Sequence, residues 1–326
     1  MVAARYKVGI DYENYTRIVE KLSSVGWDEF TTNKIYAIYE KSLYVLSIIA
    51  VSFPMKEFIF FGFYAVITIL CFYFGSKKIS EKYTWLSMLL YFLIFLAPSM
   101  NGMRQYAAIS LTFFASMGLL YDEGELLRKN LKFIALVLLA SLLHSSAILA
   151  LFVIPIKFVA TRMSGYNATK IVCRTFLFAA AIVLLGYLVI KNIEVIPIVN
   201  KYKYYLNWDV TEAPTPNLIP RIIPVIVGFW LLPNMLKKSS KNYVFYYLMS
   251  VIAFLGSLLG YIVPYGYRVA DYFLVFQIPL FIDLIKNTPI KKEKLFIIIL
   301  IGYGLLFFLY SSFFHDSHGI FPYQFL

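Results

Sequence analysis

Long apolar runs follow one another along most of this chain, at 35–53, 57–75, 83–98, 103–121, 131–143, 145–160, 171–190, 218–236, 243–263, 267–286 and 294–313. About twenty residues of helix cross a hydrocarbon core of roughly 30 Å, so most of these runs suit one crossing. The exception is 131–160, which as a single helix would be about 45 Å long. It reads better as two short helices meeting near His144-Ser145-Ser146, or as one broken helix. The expected fold class is an all-α polytopic membrane protein with about ten or eleven membrane helices, short or broken near 131–160. Hydrophobic residues make up 60% and charged ones only 15%, and mean hydropathy is +0.72, which excludes an ordinary soluble domain.

The net charge of +12 does not point to nucleic acid. The loops 76–82, 122–132, 157–174, 237–242 and 286–294 hold 17 of the 30 Lys and Arg. All five fall on one side if every run from 57 onward crosses and 131–160 crosses twice. The positive-inside rule makes that side cytoplasmic. Arg104, His144, Arg268, a loop at 191–217 and a tail at 314–326 then emerge outside, flanking a transmembrane domain at 35–313. Residues 1–34 are polar and show no signal-peptide pattern. They are cytoplasmic if 35–53 crosses and external if it is re-entrant; Glu40 and Lys41 near its start favour the re-entrant reading. Cys71 and Cys173 lie inside apolar runs and read as unpaired core residues.

Arg104 and Arg268 each stand at the mouth of an apolar run, where an arginine is costly. Two guanidiniums on one rim fit an anionic ligand such as a lipid diphosphate. The plain reading is a snorkelling arginine that meets headgroups. Asp271, one turn beyond Arg268, is expected to pair with it. His144 has an ordinary pKa of about 6.5 that suits proton transfer, although a histidine among serines is often structural. The group His315-Asp316-Ser317-His318 is a weak metal motif, and no metal site is expected. Tyr202 to Trp208, in a loop continuing through Pro214 and Pro216, offers aromatic faces for sugars.

Five segments together resemble the EpsG/Wzy family of bacterial polysaccharide polymerases. They are Arg5-Tyr6-Lys7-Val8-Gly9-Ile10-Asp11-Tyr12-Glu13-Asn14-Tyr15, Asn101-Gly102-Met103-Arg104-Gln105-Tyr106, Ser141-Leu142-Leu143-His144-Ser145-Ser146-Ala147, Arg268 with Tyr272, and Pro322-Tyr323. They keep the family's order over nearly the whole chain. The resemblance departs at two places. Relatives carry apolar helices upstream of the first segment, so a late start or a shortened form is expected, with residues 1–34 outside the membrane. The family's Asp/Glu-Pro-Gly segment is replaced by Tyr39-Glu40-Lys41-Ser42, which keeps the acid and loses the turn residues.

The resemblance implies a bundle like that of the C-type glycosyltransferases, in a bacterial inner membrane, with its active site facing the periplasm or outside. Its implied reaction joins oligosaccharide repeat units carried on undecaprenyl diphosphate, one as donor and one as acceptor. A chain-length regulator and a flippase are the implied protein partners. Such chemistry needs a cationic site for the departing diphosphate and a base for the acceptor proton. It implies no cofactor, and there is no GxxxxGK phosphate loop. Arg104 and Arg268 are the expected diphosphate residues, with Gln105, Tyr272, Arg5, Tyr15 and Tyr323 beside them. Asp11 and His144 are the candidate catalytic bases. Three other readings stay open: a lipid-linked oligosaccharide flippase, which needs no base; an O-antigen ligase; and a membrane O-acyltransferase using His144.

Overall fold

The structure is a computed structural model that describes residues 3–36, 39–192, 218–238, 242–262, 264–314 and 319–325. It is all-helical, with helix accounting for 81% and no strand among the described residues. The aromatic loop at 202–208 and the His315–His318 group lie outside the described residues. The chain divides into two compact units, residues 1–148 with 299–326, and residues 149–298.

The first unit begins with two short helices, α1 (Tyr12–Ser23) and α2 (Trp27–Thr32). Tyr12, Tyr15, Val19 and Leu22 recur at helical spacing and form the buried face of α1. Glu13, Arg17, Glu20 and Lys21 lie on its exposed side or partly so. At about 1.5–3 kcal/mol for each fully buried apolar side chain, that face is enough to dock a helix that would be marginal alone. Its partners include α3 (Lys41–Val51) and α4 (Lys56–Ile79). Phe30 of α2 stacks on Tyr44 of α3 at 4.3 Å, and the Tyr44 hydroxyl donates to the Val25 carbonyl at 2.9 Å. The eleven residues of α3 extend about 16 Å, roughly half a hydrocarbon core. Of the run 35–53, the helical part is therefore too short to cross, as a re-entrant piece would be.

Next come α5 (Thr84–Asn101), α6 (Met103–Tyr121) and α7 (Leu126–Leu143). Pro98 lies in the last turns of α5, and Gly102 alone separates α5 from α6. The run from Asn101 to Gln105 thus forms a tight corner, which sets Arg104 in the first turn of α6. Helix α6 is enclosed along nearly its whole length. It meets α4 at Gly75, where a Cβ would stand 2.8 Å from the Phe113 ring. Only a glycine allows that approach.

The two chain ends close over the α5–α6 corner. The Tyr6 N–H donates to the Gln324 carbonyl at 2.9 Å, and the Gly9 N–H to the Gly319 carbonyl at 2.8 Å. Val8, Ile320, Leu96, Ala97 and Met100 bury one another there. Gly9 has φ +94°, and a Cβ on it would lie 2.7 Å from Asn101 Oδ1. Both facts require glycine at this position.

The stretch 131–160 is broken where expected. Helix α7 ends at Leu143, and a 3₁₀ segment (Ser145–Phe152) leads into α8 (Val153–Met163). The second unit continues with α9 (Ala168–Lys191), α10 (Ile219–Lys237), α11 (Tyr243–Ser257), α12 (Tyr267–Leu274) and α13 (Gln277–Lys286). Helix α11 is its most enclosed element, with the Tyr243 hydroxyl donating to the Gly228 carbonyl of α10 at 2.9 Å. The run 267–286 is two helices rather than one. Pro279 has no N–H for the Val275 carbonyl, and the helix breaks there. The last helix, α14 (Ile290–Leu309), returns to the first unit from residue 299, where Gly304 packs against Leu93.

Among the described residues, 7 helical stretches are long and apolar enough to cross a membrane: 56–79, 84–101, 145–163, 168–188, 219–237, 243–261 and 290–313. The remaining apolar runs form helices that are shorter (α3, α12, α13) or carry more polar and charged residues (α6, α7). The chain is a polytopic membrane protein.

Candidate functional site

Three separate segments of the first unit meet at Arg104. The corner of α5 and α6 supplies Arg104 itself, which donates from Nη1 to Glu40 Oε2. Glu40 sits at the N-cap of α3, and its other oxygen accepts the Ser145 N–H at 3.2 Å. That amide belongs to the break after α7, beside His144. A further hydrogen bond, from Ser42 Oγ to the Leu142 carbonyl, fastens the start of α3 to the end of α7. The side chains of Arg104 and Glu40 are 17% and 8% exposed, so the ion pair is largely out of solvent.

Aromatic residues complete the surroundings. The Tyr15 ring of α1 lies 5.8 Å from the Arg104 guanidinium. Tyr64 of α4 is fully buried within electrostatic range of Arg104, Tyr15 and Glu40, and among the described residues its hydroxyl has no hydrogen-bond partner. Arg104 Nε is likewise buried with no hydrogen bond among the described residues. A guanidinium has five N–H donors, more than the bonds to Glu40 and Tyr15 use. His144 closes α7 in an extended conformation, half-buried, with Nδ1 2.6 Å from Ser146 Oγ. The Ser146 N–H also points at Nδ1, at 3.4 Å. Both contacts favour Nδ1 as acceptor, which places the proton of a neutral ring on Nε2.

Arg5 occupies a neighbouring place. It is fully buried, donates from Nη1 to the Met100 carbonyl at 2.7 Å, and lies 4.4 Å over the Phe61 ring. Burial lowers its pKa to about 10, with Tyr15, Tyr323, Tyr12 and Asp11 opposing the shift, so it stays a cation at neutral pH. Arg5 thereby pins the N-terminal segment onto the α5–α6 corner. Tyr15 lies within electrostatic range of both Arg5 and Arg104. Asp11 stands at the N-cap position of α1 and feels Arg5. Tyr323 is another neighbour of Arg5, and burial raises its phenol pKa. Gln105 is buried on α6.

Arg268 and Tyr272 belong to the second unit. Arg268 is half-buried at the start of α12, 4.5 Å over the Tyr265 ring, and Tyr272 is buried one turn on. Asp271 accepts a hydrogen bond from Arg221 Nη2 at 2.8 Å, while Arg221 Nη1 donates to Ser257 at 2.7 Å. Arg221 is thus a buried cation, and its position inside the apolar run 218–236 was the available signal. Glu40 was visible as an acid, but its pairing with a residue 64 positions away was not. Among the described residues, no group of three or more His, Cys, Asp or Glu could hold a metal ion.

No curated protein and no solved structure matches the chain. The EpsG family model matches residues 1–325, which takes in every segment that forms the Arg104 site. The chain therefore belongs to the EpsG family, the family of Wzy-type polysaccharide polymerases.

Proposed function

We propose that this chain is a membrane glycosyltransferase that polymerises undecaprenyl-diphosphate-linked oligosaccharide repeat units into a bacterial surface polysaccharide. Family membership supports a polymerase-like role in polysaccharide biosynthesis. The observation that carries the finer reading is the meeting of Arg104, Glu40 and the His144 break in one largely buried cluster. In the transfer, the bond between the donor sugar's anomeric carbon and the diphosphate oxygen breaks. A new bond forms to a hydroxyl of the acceptor unit, whose proton passes to a base.

Arg104 meets the negative charge growing on the diphosphate, using the N–H groups that Glu40 leaves available. Glu40 holds the guanidinium in place. His144 takes a proton at Nδ1 through Ser146, whose hydroxyl passes its own proton to the ring as it receives one from the acceptor sugar. Asp11 is the second candidate base, within electrostatic range of Arg5. Gln105 and Tyr15 orient phosphate or sugar hydroxyls. Arg268 and Tyr272 are proposed as further ligand contacts on their sequence positions, and Tyr323 and Arg5 as supports of the N-terminal segment. The same reading puts the site on the outer face of the inner membrane, with a flippase supplying the lipid-linked units and a chain-length regulator acting beside it.

The test compares His144→Ala with Asp11→Asn in purified protein given a lipid-linked repeat unit. Polymer formation should fall about 100-fold or more in His144→Ala, in the range of a lost general base. A transporter without transfer chemistry would make no polymer in any variant and would keep moving lipid in His144→Ala. Full polymerisation by His144→Ala would eliminate His144 as the base.

A further inference from the structure

A cavity of about 240 Å³ opens at the other end of α6 and α7, lined by Gly118, Asp122, Arg128, Lys129, Lys132 and Phe133 among others. Gly118 and Asp122 on its wall lie 14 and 18 residues beyond Arg104 along and just past α6, roughly 21–27 Å, which is most of a hydrocarbon thickness. It is therefore a different place from the polymerase site and has no part in the chemistry proposed there.

The cavity's charge leans positive, with Arg128, Lys129 and Lys132 against Asp122 and Glu123. Asp122 already receives hydrogen bonds from Lys78 and, at 3.2 Å, from Lys132. Arg128 and Lys129 reach no carboxylate among the described residues. Both stand in the first turns of α7, where the backbone N–H groups add positive potential, and Glu125 at the N-cap makes no side-chain cap. Next to them Leu126, Leu127 and Leu131 are exposed. Cations facing a small cavity, with leucines on the same turns, match a phosphate joined to acyl chains. At 240 Å³ the cavity is under the roughly 300 Å³ at which pockets for larger ligands begin, so it fits a headgroup and not an oligosaccharide.

We propose that this cavity binds the phosphate headgroup of an anionic phospholipid, with the acyl chains lying along Leu126, Leu127 and Leu131. Arg128 and Lys129 meet the phosphate, and the bridge of Lys78, Asp122 and Lys132 forms the rigid wall behind it.

The experiment is native mass spectrometry of the full chain in neutral detergent, titrated with phosphatidylglycerol or phosphatidylcholine of matched chains. Wild type should bind phosphatidylglycerol about tenfold more tightly. The Arg128→Gln/Lys129→Gln pair should bring the two lipids to parity. Lys291→Gln/Lys292→Gln, basic residues in the first turn of α14 that do not line this cavity, should leave the preference unchanged. Parity in wild type overturns the proposal, as does a preference that persists without Arg128 and Lys129. Equal loss in the Lys291/Lys292 pair overturns it too, by showing generic surface charge. In a separate arm with inorganic phosphate alone, phosphate binding that needs Arg128 and Lys129, without any lipid preference, assigns the cavity to free phosphate and overturns the lipid. Should the double variant unfold, Arg128→Gln alone, at an exposed residue, reads the same difference.

Discussion

A guanidinium enclosed by helices is stable only where its charge is met, and Arg104 meets Glu40 while keeping donors in reserve. Removing one partner from such a pair costs about 3–5 kcal/mol, because the other charge is left uncompensated. Glu40→Ala should therefore lower the thermal midpoint by more than the double variant Glu40→Ala/Arg104→Ala does. In a double-mutant cycle the coupling should reach at least about 1 kcal/mol. Additive effects would show that the two residues do not sense each other. Arg104 and His144 were legible in the sequence because a charge or an imidazole beside an apolar run is conspicuous. The role of Glu40 was not. The turn residues around it differ from the family pattern, and its partners, Arg104 and the Ser145 amide, come from distant parts of the chain.

Elements fit together here through a few close approaches and end contacts. Gly75 brings α4 against Phe113 of α6, so Gly75→Val should cost about 1–3 kcal/mol by overpacking. Gly302→Val is the control, since a Cβ there meets nothing within 4 Å. Equal thermal midpoints for the two variants would contradict the close packing. At the far end of α6, burial pushes the Asp122 pKa up, but hydrogen bonds from Lys78 and Lys132 outweigh it and hold the carboxyl below its usual 3.8. The charged form is thus favoured by folding, and its contribution is present above that usual value and lost as pH falls through the lowered one. The midpoint difference between wild type and Asp122→Asn should be constant above about pH 5 and shrink below about pH 4. A difference that grew on acidification would reverse the assignment. Helix positions were readable from hydropathy, and the break at His144 from the excess length of 131–160. The separation of α12 from α13 was missed, although Pro279 carried the signal.

At the scale of the whole chain, the ends and the corner of α5 and α6 hold together segments that lie far apart in sequence. The motifs around Arg5, Asn101, His144 and Pro322 all fall in the first unit, and the one at Arg268 in the second. Their family order was legible; the placing of the first four in one unit required the fold. The most direct measurement is polymerisation by purified wild-type and Arg104→Ala protein supplied with a synthetic undecaprenyl-diphosphate repeat unit, read as a ladder on a gel. Wild type should give a ladder. Arg104→Ala, checked for a monodisperse folded state, should lose it by about 100-fold or more. A ladder from Arg104→Ala equal to that of wild type would contradict the placement of the transfer site at Arg104.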